Sequence, residues 1–298
     1  MKIKHLIALL GALLGIGAMA FAGFQLYTTQ KMYQEGDSAY ESLLGSVRYA
    51  GGLEAWADAD GAMPGGAGSY GDFEGSGFSL QSGQSPGAGQ ILLNDQDGLQ
   101  LTVFNEVDGR PFTPMVDFET LRSINKDASA WLYSPGAIID YPVMAATDYE
   151  YYLGHLPDGT KNANGSLFID YNNAPDFSEQ LTVIYGHHMK SGKMFGDLKG
   201  YKTQSFYEEH PYMFLYTDHA NYRIDLLYGS VIDAIEWSEQ AFMYEENLGD
   251  LLEFAKRNTT FKSNGVEYNE GDRIVVLSTC SYEFNEARYF VLGVLRNI

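Results

Sequence analysis

Cysteine is nearly absent from the sequence: Cys280 is the one cysteine among 298 residues. A disulfide within the chain needs two cysteines, so the disulfide-stapled architectures of small exported proteins are excluded. A lone thiol is a small buried hydrophobic group, an intermolecular link or a reactive nucleophile. The count by itself leaves these three alternatives open.

Basic residues are also scarce. The sequence has 19 Lys and Arg against 39 Asp and Glu, which gives a formal net charge of -20. Nucleic-acid binding depends on clustered Lys and Arg that neutralise phosphates, so this composition argues against nucleic acid as a partner. The sequence also contains no His-Glu-x-x-His zinc motif and no glycine-rich phosphate loop that ends in Lys-Ser/Thr. We therefore predict neither a metal ion nor a cofactor.

The N-terminal segment has the character of a membrane span. Leu6 to Phe24 contains no charged residue, and about 20 apolar residues suffice for a helix to cross a bilayer. Lys2 and Lys4 precede the span, which puts the N-terminus in the cytoplasm and the rest of the chain outside. The alternative is a cleaved signal peptide, because Ala20-Phe-Ala22 fits a cleavage site. We predict that residues 1–27 are a retained single-pass anchor in the cell membrane.

A spacer follows the predicted anchor. Residues 51–90 are rich in Gly, Ser and Ala and contain no Lys or Arg. Such a segment cannot bury enough apolar surface to offset the entropy lost on ordering, which indicates a flexible tether. Residues 27–47 favour a short helical stalk ahead of it. We assign residues 28–110 to stalk and spacer, and residues 111–298 to one extracellular domain.

The extracellular domain is predicted to be mainly β. Hydrophobic residues make up 45% of the sequence and aromatic residues 14%, and most apolar runs after residue 130 are short and β-branched or aromatic. Helices are predicted after Asp117, a potential N-cap, and over residues 247–257, where leucines recur at helical spacing. Many short strands with few helices predict a largely antiparallel closed barrel with helical insertions.

Three polar residues stand at the ends of apolar runs: His187, Cys280 and Arg288. A thiol becomes a good nucleophile near neutral pH when an imidazole or a positive charge favours the thiolate. A guanidinium can donate the hydrogen bonds that a carbonyl oxygen needs as it gains negative charge. Together these groups suffice for amide cleavage through a thioester. Taken singly, each also fits a structural role, as a core cysteine, a loop histidine or a sheet-edge charge.

These residues lie in segments that resemble the sortase family, and class B sortases in particular. The family signature is a Thr-Leu-x-Thr-Cys strand end, a histidine far upstream and an arginine on the next strand. Here the signature reads Val276-Leu-Ser-Thr-Cys280, with valine in place of the first threonine, and its continuation through Arg288 is similar to class B members. Further similar segments are Ile139-Asp-Tyr-Pro-Val143, Tyr151-Tyr-Leu153, Gly165-Ser-Leu-Phe-Ile-Asp170, Tyr185-Gly-His-His-Met189 and Met194-Phe-Gly-Asp-Leu-Lys199. The helix at 247–257 matches the helical insertion of class B, and the resemblance covers about residues 115–298.

The resemblance implies a sortase-type β-barrel with Cys280 as nucleophile, His187 as acid/base partner and Arg288 as stabiliser of the oxyanion or substrate. The family often has asparagine after its catalytic histidine, whereas His188 follows here, so two imidazoles are adjacent. His187, directly after the glycine, is the match.

The resemblance also implies what surrounds these residues. Tyr185, Ser278 and Thr279 are predicted walls of the substrate pocket. The implied function is a cell-surface cysteine transpeptidase that acts on secreted proteins bearing a C-terminal sorting motif, with an amine of a cell-wall precursor or a pilin as acceptor. The alternative function is a catalytically silent, membrane-tethered module that binds an extended peptide on the same barrel.

Overall fold

The computed structural model describes residues 2–47, 106–107, 110–111, 116–136, 139–280 and 287–298. Side chains are described over residues 15–47, 116–136, 139–279 and 287–298. The predicted spacer, residues 51–90, lies outside the described residues.

The N-terminal segment forms one helix, α1 (Lys2–Val47), whose C-terminal part contains the predicted stalk. Among the residues searched, which are those that the structure describes, no helix combines the length and apolarity needed to cross a bilayer. The predicted span from Leu6 to Phe24 begins in the part of α1 whose side chains are not described.

Eight strands form a closed barrel. In chain order after a two-stranded hairpin, β1 (Glu106–Val107) and β2 (Arg110–Pro111), they are β3 (Ala128–Tyr133), β4 (Asp140–Ala145), β5 (Leu167–Ile169), β6 (Leu181–Tyr185), β7 (Tyr212–Tyr216), β8 (Asn221–Asp233), β9 (Arg273–Cys280) and β10 (Ala287–Asn297). Neighbours around the barrel follow the order β10-β8-β7-β3-β4-β5-β6-β9. Pairing is antiparallel except for β4 with β5 and β6 with β9. The predicted mainly-β barrel is therefore confirmed.

The barrel strands are buried on both faces, as their nearly continuous runs of apolar residues indicate. In β9, Ile274 and Val276 belong to one hydrophobic cluster, whereas Val275 and Leu277 belong to the other. Successive side chains of a strand point to opposite faces, so each face of the barrel wall has its own core. Burying one such side chain stabilises the fold by about 1.5–3 kcal/mol.

Short helices cover the barrel. They are α2 (Phe118–Ile124), α3 (Gln204–Glu209), α4 (Ala234–Glu239) and α5 (Leu248–Asn258), with 3-10 turns at Gly196–Lys202 and Glu245–Asn247. The Asp117 carboxylate accepts a hydrogen bond from the Thr120 backbone amide at 2.9 Å, which confirms the predicted N-cap of α2. Leu248, Leu251 and Ala255 of α5 are buried. The predicted helical insertion between β8 and β9 is confirmed.

Candidate active site

The parallel pairing of β6 with β9 brings two of the predicted catalytic residues to one end of the barrel. Its register places Tyr185 opposite Ser278. His187 follows Tyr185 by two residues and Cys280 follows Ser278 by two, so the chain carries both past the last pair in the same direction. The antiparallel register of β9 with β10 places Arg288 opposite Cys280. The backbone thus brings the three residues to one rim.

Hydrogen bonds hold the two strand ends together beyond the ladder. The Thr279 hydroxyl donates to the Gly186 carbonyl oxygen at 2.7 Å, and the Gly186 amide donates to the Ser278 carbonyl at 3.3 Å. A side chain at position 186 would collide with Leu167 and with Phe195, whose Cδ2 would lie 2.9 Å from its Cβ. The glycine before His187 therefore lets β6 approach its neighbours closely.

His187 is fixed by the backbone of a distant loop. Its Nε2 lies 2.7 Å from the Leu153 carbonyl oxygen. A carbonyl can only accept, so Nε2 carries the hydrogen and Nδ1 is the nitrogen left to exchange a proton. Gly165, with φ of +61°, lies against the ring: a Cβ there would stand 3.0 Å from His187 Cδ2. Both the positive φ and the close approach require glycine.

His187, and not His188, lies on the wall of a cavity beside the strand ends. The described residues that line the cavity include His187 but not His188, whose backbone instead forms a bridge with Met194. The cavity has a volume of about 340 Å³. Its described lining includes Tyr149, Leu153, Phe168, Tyr185, Trp237, Met243, Ser278, Thr279 and Arg288. Predominantly apolar walls with a few convergent polar groups are typical of a binding site.

Three buried polar atoms of residues that line this cavity have no hydrogen-bond partner among the described residues. They are the Trp237 Nε1, the Ser278 Oγ and the Arg288 Nε, in a side chain whose Cζ lies 5.9 Å from the Tyr185 ring centroid. A buried polar atom without a partner costs about 1–3 kcal/mol. A bound peptide group recovers that cost, so these atoms suit a site for a carbonyl oxygen. Tyr185, Ser278 and Thr279, the predicted pocket walls, line this cavity, and the Thr279 hydroxyl donates to the Gly186 carbonyl oxygen.

Comparison with known proteins identifies the family. No protein-family model matches the sequence. Sortase B of Listeria monocytogenes is 34% identical over 183 residues, which cover 60% of this chain and 74% of that protein. Sortase B of Staphylococcus aureus is 28% identical over 182 residues, 61% of this chain and 74% of that protein. The chain belongs to the class B sortases.

Solved sortase structures share the barrel. The Clostridium perfringens sortase B aligns with a TM-score of 0.56 and 28% identity over 60% of this chain and 98% of that one. A Staphylococcus aureus sortase B–substrate complex aligns with a TM-score of 0.56 and 26% identity over 61% of this chain and 85% of that one. A sortase B complexed with triglycine aligns with a TM-score of 0.55 and 27% identity over 61% and 86%. The sortase is therefore a cysteine transpeptidase, and a catalytically silent binding module is not favoured.

Sequence reasoning missed a buried carboxylate of this sortase. Asp170, directly after β5, is fully buried and accepts hydrogen bonds from the hydroxyls of Tyr149 and Tyr185, both at 3.0 Å. Burial, and then the charge of Asp170, raise the pKa of Tyr185 and of Tyr149 above the ordinary value. Both phenols therefore stay protonated and donate hydrogen bonds to the Asp170 carboxylate. An acidic residue at the end of a buried Leu-Phe-Ile strand was the available signal.

Asp170 orients the ring on which Arg288 lies. The carboxylate fixes the Tyr185 hydroxyl, and the Tyr185 ring faces the Arg288 guanidinium at a cation–π distance. This geometry predicts that Asp170 positions Arg288 through Tyr185. Among the described residues, no group of three or more His, Cys, Asp and Glu side chains is arranged to hold a metal ion.

We expect Asp170→Asn to lower kcat/KM by about tenfold, because the neutral amide weakens charge-assisted hydrogen bonds by about 1.4 kcal/mol. Tyr185→Phe should cause a similar loss, and the double variant should be no worse than either single variant. Peptide-cleavage kinetics measure these effects, with the exposed Asp176→Asn as the matched control. Fully additive losses would show that Asp170 does not act through Tyr185.

Proposed function

We propose that this sortase cleaves the C-terminal sorting motif of secreted proteins and transfers the new acyl group to an amine of a cell-wall precursor or a pilin. The carrying observation is the convergence of three groups at one rim of the barrel: the Cys280 backbone, the His187 ring and the Arg288 Nε, which has no hydrogen-bond partner among the described residues. The similar sortases solved with a substrate and with triglycine support a peptide substrate and an amine acceptor.

The reaction proceeds in two transfers. The Cys280 thiolate attacks the carbonyl carbon of a threonine in the sorting motif, and the carbonyl oxygen gains negative charge beside the Arg288 guanidinium. The C–N bond breaks as protonated His187 gives a proton to the leaving amine, so a thioester remains. Neutral His187 then removes a proton from the acceptor amine, which attacks the thioester. A new amide forms and Cys280 leaves as thiolate, which completes the cycle.

The thioester is the part of this proposal that one variant tests directly. Cys280→Ala removes the sulfur and should abolish both cleavage and the covalent intermediate, since no other thiol exists in the chain. Incubation with sorting-motif peptides and triglycine, followed by intact-mass spectrometry, shows the acyl-enzyme and the transfer product. Normal turnover by the variant would falsify the mechanism.

The two adjacent histidines provide a matched pair for the acid/base role. We expect His187→Ala to lower kcat by about 10²–10⁴-fold, the usual contribution of a general acid–base group. His188→Ala should leave kcat within about threefold of the parent, because His188 is not among the described residues that line the cavity and its imidazole is therefore out of reach of the substrate. Steady-state peptide kinetics distinguish the two variants. The opposite ranking would assign the role to His188 and overturn our assignment.

We also propose that residues 1–27 are a retained anchor, with the N-terminus in the cytoplasm and the catalytic domain outside the cell. The described apolar side chains of this part of α1 support it, because Ile16, Met19, Phe21 and Phe24 are each 60–69% exposed. They point in different directions around the helix, as in a helix that lies in lipid.

The anchor proposal predicts the location and the mass of the protein in cells. The parent should fractionate with membranes at the mass of the full chain. Ile16→Lys should shift protein away from the membrane fraction, because a central lysine costs about 2.5–3.5 kcal/mol on insertion. Gln34→Lys, on the same helix beyond the span, is the control. A mature protein that begins after Ala22 would contradict the retained anchor.

A further inference from the structure

The C-terminal part of α1 lies on the loop that holds His187. We name residues 153–166 the histidine loop. Its first residue, Leu153, accepts the hydrogen bond from His187 Nε2, and Gly165 near its other end lies against the His187 ring. An element that fixes this loop near Gly165 therefore fixes the backbone on one side of the imidazole.

A glycine in the middle of α1 allows the histidine loop to approach the helix. Gly36 is buried, and a Cβ at this position would lie 2.5 Å from Asn164 Nδ2 and 2.7 Å from Asn162 Oδ1. Glycine inside a helix costs about 1 kcal/mol relative to alanine. Gly36 therefore lowers the intrinsic stability of the helix, but any larger residue there would prevent the contact between α1 and the histidine loop.

Specific hydrogen bonds join the helix to the loop at the close approach around Gly36. Asn162 Nδ2 donates to the Met32 carbonyl oxygen at 2.8 Å, and Asn164 Nδ2 donates to Asp37 Oδ1 at 3.1 Å. The other Asp37 oxygen forms an ion pair with Lys193 Nζ at 2.8 Å. The two asparagines are themselves linked, since Asn162 Oδ1 accepts a hydrogen bond from the backbone amide of Asn164 at 2.9 Å. They cannot move aside without losing these bonds.

Tyr40, one turn further along α1, reaches the residue that touches the imidazole. Its hydroxyl donates to the Gly165 carbonyl oxygen at 2.6 Å, and the side chain is buried. Burial raises the pKa of Tyr40, so the phenol keeps the hydrogen that it donates. Contacts from α1 thus hold the histidine loop at residues 162, 164 and 165, directly before β5.

These contacts are not needed to attach α1 to the domain. Val47 is fully buried and its carbonyl oxygen accepts from the Asp117 amide at 2.8 Å, while Leu43 packs in the hydrophobic cluster that includes α2. The C-terminal end of the helix is therefore attached independently of the histidine loop. The close approach at Gly36 and the Tyr40 hydrogen bond instead fix the position of the histidine loop.

We propose that docking of residues 32–40 of α1 positions His187 for the transpeptidase reaction, with Gly36 and Tyr40 as positioning residues that act through the histidine loop. The proposal rests on the acid/base role proposed above for His187. It makes the segment next to the predicted membrane anchor a part of the catalytic apparatus, although none of its residues lines the cavity at the strand ends.

The test uses the full chain and a matched pair of glycines. Gly36→Leu places a side chain where the histidine loop lies, whereas Gly45→Leu places the same side chain where no atom lies within 4 Å of the Cβ. Tyr40→Phe removes only the hydroxyl that donates to Gly165. Peptide kinetics give kcat and KM, and two-bond ¹H–¹⁵N correlation spectra of the imidazoles give the tautomer of His187.

We expect Gly36→Leu and Tyr40→Phe to lower kcat by about 10- to 100-fold, because a misplacement of about 1 Å can cost about 100-fold, with KM within about twofold. The Nε2–H tautomer of His187 should also lose its dominance. Gly45→Leu should match the parent in all three quantities. Unchanged kcat in both variants overturns the proposal, and so does a loss confined to KM.

The His187→Ala variant separates this proposal from the proposed function. If His187→Ala keeps parental activity, the acid/base role of His187 fails. If His187→Ala is inactive while Gly36→Leu and Tyr40→Phe are normal, only the positioning role of α1 fails.

Discussion

The parallel pairing of β6 with β9 is the contact on which the site depends. The paired residues, such as Tyr185 and Ser278, lie 93 positions apart in sequence, so closing that connection costs chain entropy which only the buried strands can offset. Parallel neighbours end at the same edge, and this places the histidine and the lone cysteine at one rim. The intervening β7, β8 and α5 complete the barrel and cover it. Without this pairing the sequence retains its catalytic residue types but has no shared site for them.

The supporting residues have their hydrogen bonds formed within the protein, whereas the residues proposed to contact substrate have polar atoms left without a partner among the described residues. Asp170 is fully buried, yet two tyrosine hydroxyls donate to it, and such a satisfied network gives rigidity. The Arg288 Nε and Ser278 Oγ are buried without a partner among the described residues. A rigid network beneath an unsatisfied donor is the arrangement expected of a preorganised site, because little reorganisation remains when charge develops.

Sequence reasoning reaches those features that depend on local residue patterns. Apolar runs predicted the strands, and the chain itself marks Cys280, His187 and Arg288 at their ends. It did not predict the Leu153 carbonyl as the partner of His187, because every residue carries a carbonyl and only the fold selects one. Asp170 escaped for a related reason, since its partners Tyr149 and Tyr185 are 21 and 15 residues away. The Tyr40–Gly165 contact spans 125 residues and leaves no local pattern at all.

The three predicted catalytic residues therefore depend on different parts of the fold. The backbone of Cys280 is fixed by the barrel ladder, through its register with Arg288. The Arg288 side chain depends also on β5, through Asp170 and Tyr185, and His187 depends on the histidine loop and on α1 behind it. Damage to either peripheral support is therefore expected to leave the proposed nucleophile in place while it displaces one of its partners. In the proposed mechanism the barrel determines where the acyl group is attached, and the peripheral contacts determine how fast it is transferred.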